Sequence, residues 1–203
     1  MSGHSRRAIG LIAGEGRFPF LVAQGIRQQG FRVVAAGFRE HTNEELYAVA
    51  DSMIWLRLGQ LGKLLSFLRD NNVEQVVFAG PINKPKALGM IPDFRAARLL
   101  FRVRNKQDGE IFQALIDTLN SEGIQVLSPL SFVPALKAPE GTLGKRKPSK
   151  REEADISFGW PLAKEIGNLD IGQCLVVKND VVIAVEAVEG SDATILRAGE
   201  LAG

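Results

Sequence analysis

The sequence predicts an α/β protein: a parallel-sheet domain followed by a smaller α/β region. In the first part, short apolar runs of strand length alternate with amphipathic helical patterns. A polar, basic segment then separates this part from a second stretch of helix and β-branched runs. The chain has 203 residues, of which 45% are hydrophobic and 24% charged. This composition excludes wholesale disorder, and the length fits one domain or two small ones.

The first part begins with an apolar strand at residues 8–13, which two glycines follow at once. Apolar residues then recur at helical spacing over residues 18–26, and Gly30 closes that helix. Further strands are predicted at residues 31–38, 53–58, 76–79 and 124–127, and further helices at 61–68 and 111–119. Strands that alternate with helices of this length imply a parallel sheet covered on both faces, a Rossmann-like arrangement.

The second part differs in composition. Residues 139–151 combine Pro, Gly and six charges with almost no apolar side chains, which is typical of a linker. Beyond it we expect helices at 152–166 and from 194, with a β-hairpin turning at Asn179-Asp180 between them. We therefore predict a Rossmann-like domain at 1–138, a basic linker at 139–151 and a partial second domain at 152–203. About 50 residues make a marginal domain without support.

The charges are divided unequally. Residues 1–151 hold 22 basic and 13 acidic side chains, whereas residues 152–203 hold three basic and ten acidic ones. We therefore expect an anionic ligand to bind the first part of the chain. Cys174 is the single cysteine, which excludes a disulfide framework, and no apolar run reaches the roughly 18 residues of a spanning helix. These features, with a polar N-terminus, predict a cytoplasmic protein.

Three residues of the first part are candidate phosphate contacts. Gly14 and Gly16 lie between a strand and a helix, where free backbone amides attract anions. Lys84 lies in a loop after the strand 76–79, and loops that follow parallel strands share one edge of the sheet. A plain tight turn and a solvated lysine are the alternatives, since the pattern is neither a Walker A loop nor a complete dinucleotide fingerprint.

Arg95, Arg98 and Arg102 are spaced to share one face of a helix. Such a face can be merely solvated, or can contact a lipid surface or nucleic acid. Few aromatic residues accompany the basic ones, so we expect no nucleic-acid partner. Asp108 follows this segment and is either a lone functional carboxylate or a helix cap.

Carboxylates crowd the end of the last apolar strand. Glu186, Glu189 and Asp192 lie within seven residues, around Gly190. A hard divalent cation needs such groups, with phosphate oxygens completing its shell, although a solvated turn has the same composition. His4 and His41 are isolated in the sequence and build no catalytic or metal pattern.

Four stretches together resemble one family. They are residues 10–19 (GLIAGEGRFP), 79–85 (AGPINKP), 170–173 (DIGQ) and 184–192 (AVEAVEGSD) with Arg197. In this order the chain is similar to the UDP-2,3-diacylglucosamine pyrophosphatases of the LpxI type, and the similarity spans nearly its whole length.

The resemblance implies Mg²⁺-dependent hydrolysis of UDP-2,3-diacylglucosamine to UMP and 2,3-diacylglucosamine 1-phosphate, in lipid A biosynthesis. It also implies a homodimer of two-domain chains, peripheral to the cytoplasmic side of the inner membrane, with substrate held between the domains. On this basis Gly14, Gly16, Lys84, Gln173 and Ser191 are expected to bind substrate. Glu186, Glu189 and Asp192 are expected to be catalytic, the last two as metal ligands.

Two departures from the family pattern stand out. Ser191 replaces a threonine, which keeps the hydroxyl. Family members also continue for several dozen residues past the point that matches Gly203, and that tail carries an aspartate regarded as essential. The alternative to an active enzyme is therefore a truncated, non-catalytic protein that binds the nucleotide-sugar lipid or its product.

Overall fold

A computed structural model of the chain describes residues 6–82, 91–103 and 108–202. By its internal contacts the chain divides into two units, Met1–Ala138 and Pro139–Gly203. Lys84 lies outside the described residues.

The first unit is built on a five-stranded parallel sheet with the order β3-β2-β1-β4-β5. Its strands are β1 (Ala8–Ala13), β2 (Arg32–Phe38), β3 (Ser52–Leu56), β4 (Val73–Ala79) and β5 (Gln125–Leu127). Ala13 pairs with Gly37 on one side and with Ala79 on the other, so β1, β2 and β4 end at the same edge. The predicted α/β class and parallel sheet are confirmed.

Helices cover both faces of this sheet. They are α1 (Phe18–Gln28), α2 (Leu61–Asp70), α3 (Phe94–Arg102) and α4 (Asp108–Ser121), with short 3₁₀ segments at Glu44–Ala48, Pro129–Ser131 and Pro134–Leu136. One core cluster joins the sheet to α1, and another joins it to α2, α3 and α4. All six residues of β1 are buried because this central strand has a core on each side.

Two strand boundaries of the first unit differ from the sequence prediction by more than one residue. β4 begins at Val73, three residues before the apolar run, because Val73 pairs with Ala8 and the polar Gln75 pairs with Ile9, with the register shifting at Glu74 between them. β3 ends at Leu56, two residues early, since residues 57–60 form a turn before α2. The apolar run alone therefore marks the buried part of a strand and not its hydrogen-bonded length.

The second unit contains a helix, a hairpin and a second helix: α5 (Lys150–Asn168), β6 (Leu175–Lys178), β7 (Val181–Val185) and α6 (Ser191–Ala202). The strands pair antiparallel, and Asn179 and Asp180 adopt φ of 57° and 58°, the conformation of a tight hairpin turn. The predicted hairpin is confirmed. The Asp155 carboxylate of α5 accepts hydrogen bonds from the Asn179 and Asp180 amides at 3.1 and 2.7 Å, which fixes the turn on the helix.

The core of the second unit is small. Its buried residues within the described range are Gly159, Ala184, Thr194 and Ala198. A Cβ on Gly159 would lie 2.9 Å from Val177 Cγ2, so α5 approaches β6 as closely as its backbone allows. No helix in the described ranges is long and apolar enough to cross a bilayer.

A capping box begins α5 at Lys150, two residues before the predicted start. The Ser149 hydroxyl accepts from the Glu152 amide, and the Glu152 carboxylate accepts from the Ser149 amide at 2.7 Å. The Arg146 guanidinium donates to both Glu152 oxygens, at 2.7 and 2.8 Å. These bonds, first of all those from Arg146, hold the pKa of Glu152 far below its ordinary value of 4.5. The end of the basic segment is thus part of the helix start.

Because of this cap, we expect the free energy of unfolding of the second unit to fall at acidic pH. The pKa of Glu152 is lower in the folded state than in the unfolded state. Its contribution to the free energy of unfolding is therefore complete above the unfolded-state pKa of 4.5 and is lost as the pH falls toward the folded-state pKa. We expect urea unfolding followed by Trp160 fluorescence to show wild type more stable than Glu152→Gln at neutral pH, with the difference shrinking below pH 4.5. Glu153→Gln, in the same turn, is the control. Parallel pH profiles for wild type and Glu152→Gln would contradict the prediction.

Candidate functional site

Two loops meet at the carboxyl edge of the sheet, and only glycines fit where they touch. The Gly14 amide donates to the Ala79 carbonyl and the Glu15 amide to the Pro81 carbonyl, both at 2.8 Å. A Cβ on Gly14 would lie 2.2 Å from the Pro81 oxygen, and one on Gly80 would lie 2.4 Å from the Glu15 oxygen. Gly80 also has a φ of 85°. The loop after β1 is therefore locked to the loop after β4.

This packing separates the two predicted glycine contacts. Gly14 is buried and its amide already has an acceptor, so a phosphate could reach that amide only by displacing the Ala79 carbonyl. Gly16 is exposed, with a φ of 83°, two residues before α1. The N-cap residue Arg17 makes no side-chain cap, but Pro19 has no amide hydrogen and the Phe20 amide donates to the Arg17 carbonyl at 3.1 Å. The start of α1 therefore offers few amides to an anion beyond that of Gly16. The structure thus favours Gly16 over Gly14 as a contact through a backbone amide.

A buried histidine lies at the same edge, where sequence reasoning placed none. His41 follows β2, is 8% exposed, and its Nδ1 lies 2.9 Å from Glu15 Oε1. The neighbouring Thr42 hydroxyl donates to the Ala13 carbonyl at 2.5 Å and accepts from the Phe38 amide at 2.8 Å. These bonds tie the ends of β1 and β2 together. The sequence places His41 after the predicted strand 31–38, but that this strand ends beside β1 follows only from the strand order.

An apolar pocket of about 200 Å³ opens beside the ends of β2 and β3. Its walls include Phe38, Leu56, Leu61, Leu64, Leu99 and Leu115. At roughly 30 Å³ for a water-sized group, the pocket has room for about seven such groups. It suits part of an alkyl chain, because hardly any polar surface lines it.

In the second unit, three of the predicted site residues meet. Glu186 directly follows β7, and its Oε2 accepts from the Gln173 backbone amide at 3.1 Å and from the Ser191 hydroxyl at 3.0 Å. A Cβ on Gly172 would lie 2.1 Å from the Glu186 carbonyl oxygen, so the segment before β6 and the segment after β7 are in direct contact. Glu186 therefore joins the start of the hairpin to the start of α6.

Glu189 lies in a separate network. Its Oε1 accepts from Arg197 Nη2 at 3.0 Å and its Oε2 from the Ala187 amide at 3.1 Å. Arg197 Nη2 also donates to the Val185 carbonyl at 2.9 Å. A hydrogen bond from its own backbone amide lowers the pKa of Glu189; desolvation opposes this, and the Ala187 amide and the charge of Arg197 add to it. Glu189 is thus an ionised residue whose two oxygens already have donors.

Asp192 differs from both. It is exposed in the first turn of α6, and no donor among the described residues contacts its carboxylate. The described residues also include no group of three or more His, Cys, Asp or Glu side chains that could hold a metal ion alone. A Mg²⁺ ion bound by one or two carboxylates and by substrate phosphates needs no such group. Asp192 fits that kind of site directly, whereas Glu189 would have to give up internal hydrogen bonds.

Comparison with known sequences now bears on the whole chain. Residues 8–136 match the sequence model of the LpxI N-terminal domain, and residues 139–203 match that of the LpxI C-terminal domain. This chain belongs to the LpxI family. Among its relatives, the UDP-2,3-diacylglucosamine pyrophosphatase LpxI of Caulobacter vibrioides is 32% identical over 200 residues, which cover 96% of this chain and 70% of that protein. The predicted family is confirmed.

Solved structures resemble the chain only weakly. WbmG of Bordetella bronchiseptica, in complex with NAD, is 14% identical with a TM-score of 0.39 over 63% of this chain and 39% of that chain. Phosphoribosylglycinamide synthetase from Anaerococcus prevotii is 12% identical with a TM-score of 0.37 over 86% and 33%. Likeness at this level does not bear on ligand or activity.

Proposed function

We propose that the chain hydrolyses the pyrophosphate of UDP-2,3-diacylglucosamine, giving UMP and 2,3-diacylglucosamine 1-phosphate in lipid A biosynthesis. The observation that carries this proposal is the pair of LpxI domain matches, which leave only the first seven residues and 137–138 unmatched. In the reaction, water forms a new bond to one phosphorus while the bridging P–O bond breaks. Donors that meet the charge growing on the phosphate oxygens lower the barrier.

The first unit supplies anion and lipid contacts in this proposal. The Gly16 amide at the start of α1 binds a phosphate, Lys84 contributes a positive charge, and Gly14 holds the loop in place through its packing. The apolar pocket beside β2 and β3 receives part of one acyl chain. Each methylene group that leaves water there contributes about 0.8 kcal/mol.

The second unit supplies polar contacts and carboxylates. Gln173 and Ser191, joined through Glu186, contact the substrate, and Glu189 keeps Arg197 and the start of α6 in place. Asp192 is the carboxylate free to act on the reacting water or on a bound ion. Mg²⁺, with Asp192 as its proposed ligand, would neutralise charge on the phosphates, and Glu189 would join as a second ligand only by giving up its internal hydrogen bonds.

We further propose that the protein is a homodimer, as the family resemblance implies. We also propose that it works at the cytoplasmic surface of the inner membrane, since its substrate is a lipid. This location rests on the chemistry of the substrate and on the exposed surface of α3 described below.

Mass spectrometry of UDP-2,3-diacylglucosamine incubated with the chain, with Mg²⁺ and with EDTA, tests the proposal. We expect UMP and the monosaccharide phosphate to form only with Mg²⁺. If no UMP forms but the substrate raises the melting temperature, the chain is a non-catalytic binder of the nucleotide-sugar lipid. If neither occurs with folded protein, the proposed substrate is wrong.

A further inference from the structure

The outer face of α3 carries large apolar side chains that nothing in the described chain covers. Phe94 is 82% exposed and Phe101 is 93% exposed, and they lie seven residues apart, two turns along one side of the helix. Ile91, three residues before α3, is 86% exposed. The opposite face of the helix packs into the core through Ala96 and Leu99. α3 is therefore apolar on both its inner and its outer surface.

Arginines lie along one side of these exposed rings. Arg98 and Arg102 are exposed, and no acidic partner for either lies among the described residues. Arg95, on the same side, pairs with Glu122, which also accepts from Arg69 at 2.9 Å. The three arginines of α3 line a groove of about 680 Å³ between α3 and α4. The surface thus combines two exposed phenylalanines with two positive charges that have no acidic partner in the described part of the chain.

We propose that the outer face of α3 binds the surface of an anionic bilayer, with Phe94, Phe101 and Ile91 entering the headgroup region and Arg98 and Arg102 contacting lipid phosphates. Aromatic and aliphatic side chains flanked by basic ones are the features that place a helix in a membrane interface. The proposal deepens the membrane location that the proposed function includes. It assigns that location to particular residues.

Other occupants match this surface less well. A symmetric dimer through α3 would bring the same patch of each copy together and place arginines against arginines. Single-stranded nucleic acid stacks its bases on aromatic rings, but Ile91 offers no such platform. Lipid phosphates and acyl chains match both the charge and the aliphatic part of the surface.

Co-sedimentation with vesicles tests the proposal. We expect wild type to bind vesicles of phosphatidylcholine mixed with phosphatidylglycerol, to bind phosphatidylcholine alone much more weakly, and to lose binding as salt rises. Arg98→Gln with Arg102→Gln should lower the affinity for the anionic vesicles roughly tenfold or more. Phe94→Ser with Phe101→Ser should lower it by a similar factor in both kinds of vesicle.

Matched control variants distinguish binding through α3 from non-specific binding through exposed apolar or basic side chains elsewhere. Tyr47→Ser with Leu143→Ser removes apolar side chains that are 67% and 74% exposed elsewhere. Lys145→Gln with Arg151→Gln removes two other exposed basic side chains. Both control pairs should bind like wild type, and all variants should melt close to it, because exposed positions contribute little to stability.

Three results would overturn the proposal: equal binding of wild type to neutral and anionic vesicles, unchanged binding by both α3 variants, or no binding at all. Light scattering that shows Phe94→Ser with Phe101→Ser converting a dimer to a monomer, with vesicle binding intact, would instead make α3 an interface between copies. Displacement of vesicles by an oligonucleotide that the arginine variant no longer binds would make α3 a nucleic-acid surface.

The vesicles hold no nucleotide lipid, so failure of the proposed hydrolysis leaves this test unaffected. Hydrolysis of detergent-dispersed substrate can likewise succeed without membrane binding.

Discussion

Gly14→Ala is expected to destabilise the first unit by about 2–3 kcal/mol, the upper part of the usual range for a group forced into a filled space. The new methyl would lie 2.2 Å from the Pro81 oxygen and 2.5 Å from the Gly80 oxygen. Both neighbours are backbone atoms, so no side-chain rotation can relieve the contact. Because the Gly14 and Glu15 amides bond to the facing loop, the two loops must separate and lose those bonds. Urea unfolding followed by the fluorescence of Trp55 in β3 measures the loss.

Two other glycines calibrate this result. Gly109→Ala adds a methyl that no described atom approaches within 4 Å, in the first turn of α4, and is expected to stabilise by at most about 0.5 kcal/mol. Gly16→Ala also meets open space but requires a φ of 83°, which costs about 1–2 kcal/mol. If Gly14→Ala were as stable as wild type, the loops after β1 and β4 would not be packed as described. If Gly16→Ala lost more than Gly14→Ala, backbone conformation would matter more than loop contact.

The sequence predicted those parts of the fold that buried apolar runs determine. β1 and β2 lie between two cores, so their residues form continuous hydrophobic stretches. Asn179-Asp180 indicates the hairpin turn because few residues other than glycine tolerate a positive φ. The strand order and the early start of β4 depend on pairing between distant segments, which a local pattern does not record. The 3₁₀ segment Glu44–Ala48 was missed for a different reason: only its Leu46 is buried, so it shows no apolar periodicity.

Contacts within the candidate site were less accessible to sequence reasoning. The short 184–192 stretch drew attention to Glu186, Glu189 and Asp192 as one group, but composition could not separate them. The structure gives Glu186 the Ser191 hydroxyl, gives Glu189 the Arg197 guanidinium, and leaves Asp192 exposed. His41 looked isolated because its contact with Glu15 joins residues 26 positions apart. Side-chain partners of this kind depend on which strand ends lie together, and that follows only from the strand order.

The difference between Glu189 and Asp192 leads to an activity prediction that rests on the proposed function. Asp192→Asn removes a negative charge without changing size, at the one candidate carboxylate with no donor in the described chain. We expect kcat for UMP release to fall by about 100-fold or more, as happens when a preorganised electrostatic contact is lost. The melting temperature should stay close to that of wild type, because Asp192 is exposed and supports no neighbour.

Glu189→Gln should behave in the opposite manner, since the Arg197 guanidinium would lose its charged partner and the start of α6 its anchor. Its melting temperature should fall, and any loss of activity should follow from that structural change. Asp180→Asn, at an exposed aspartate in the hairpin turn, is the matched control for charge and should leave kcat unchanged.

Binding of Mn²⁺ to the protein, followed by the electron paramagnetic resonance signal of the free ion, gives a readout independent of turnover. Loss of Mn²⁺ binding in Asp192→Asn alone would make Asp192 the ligand and Glu189 the residue that positions α6. Full turnover in Asp192→Asn would instead exclude this carboxylate from the chemistry.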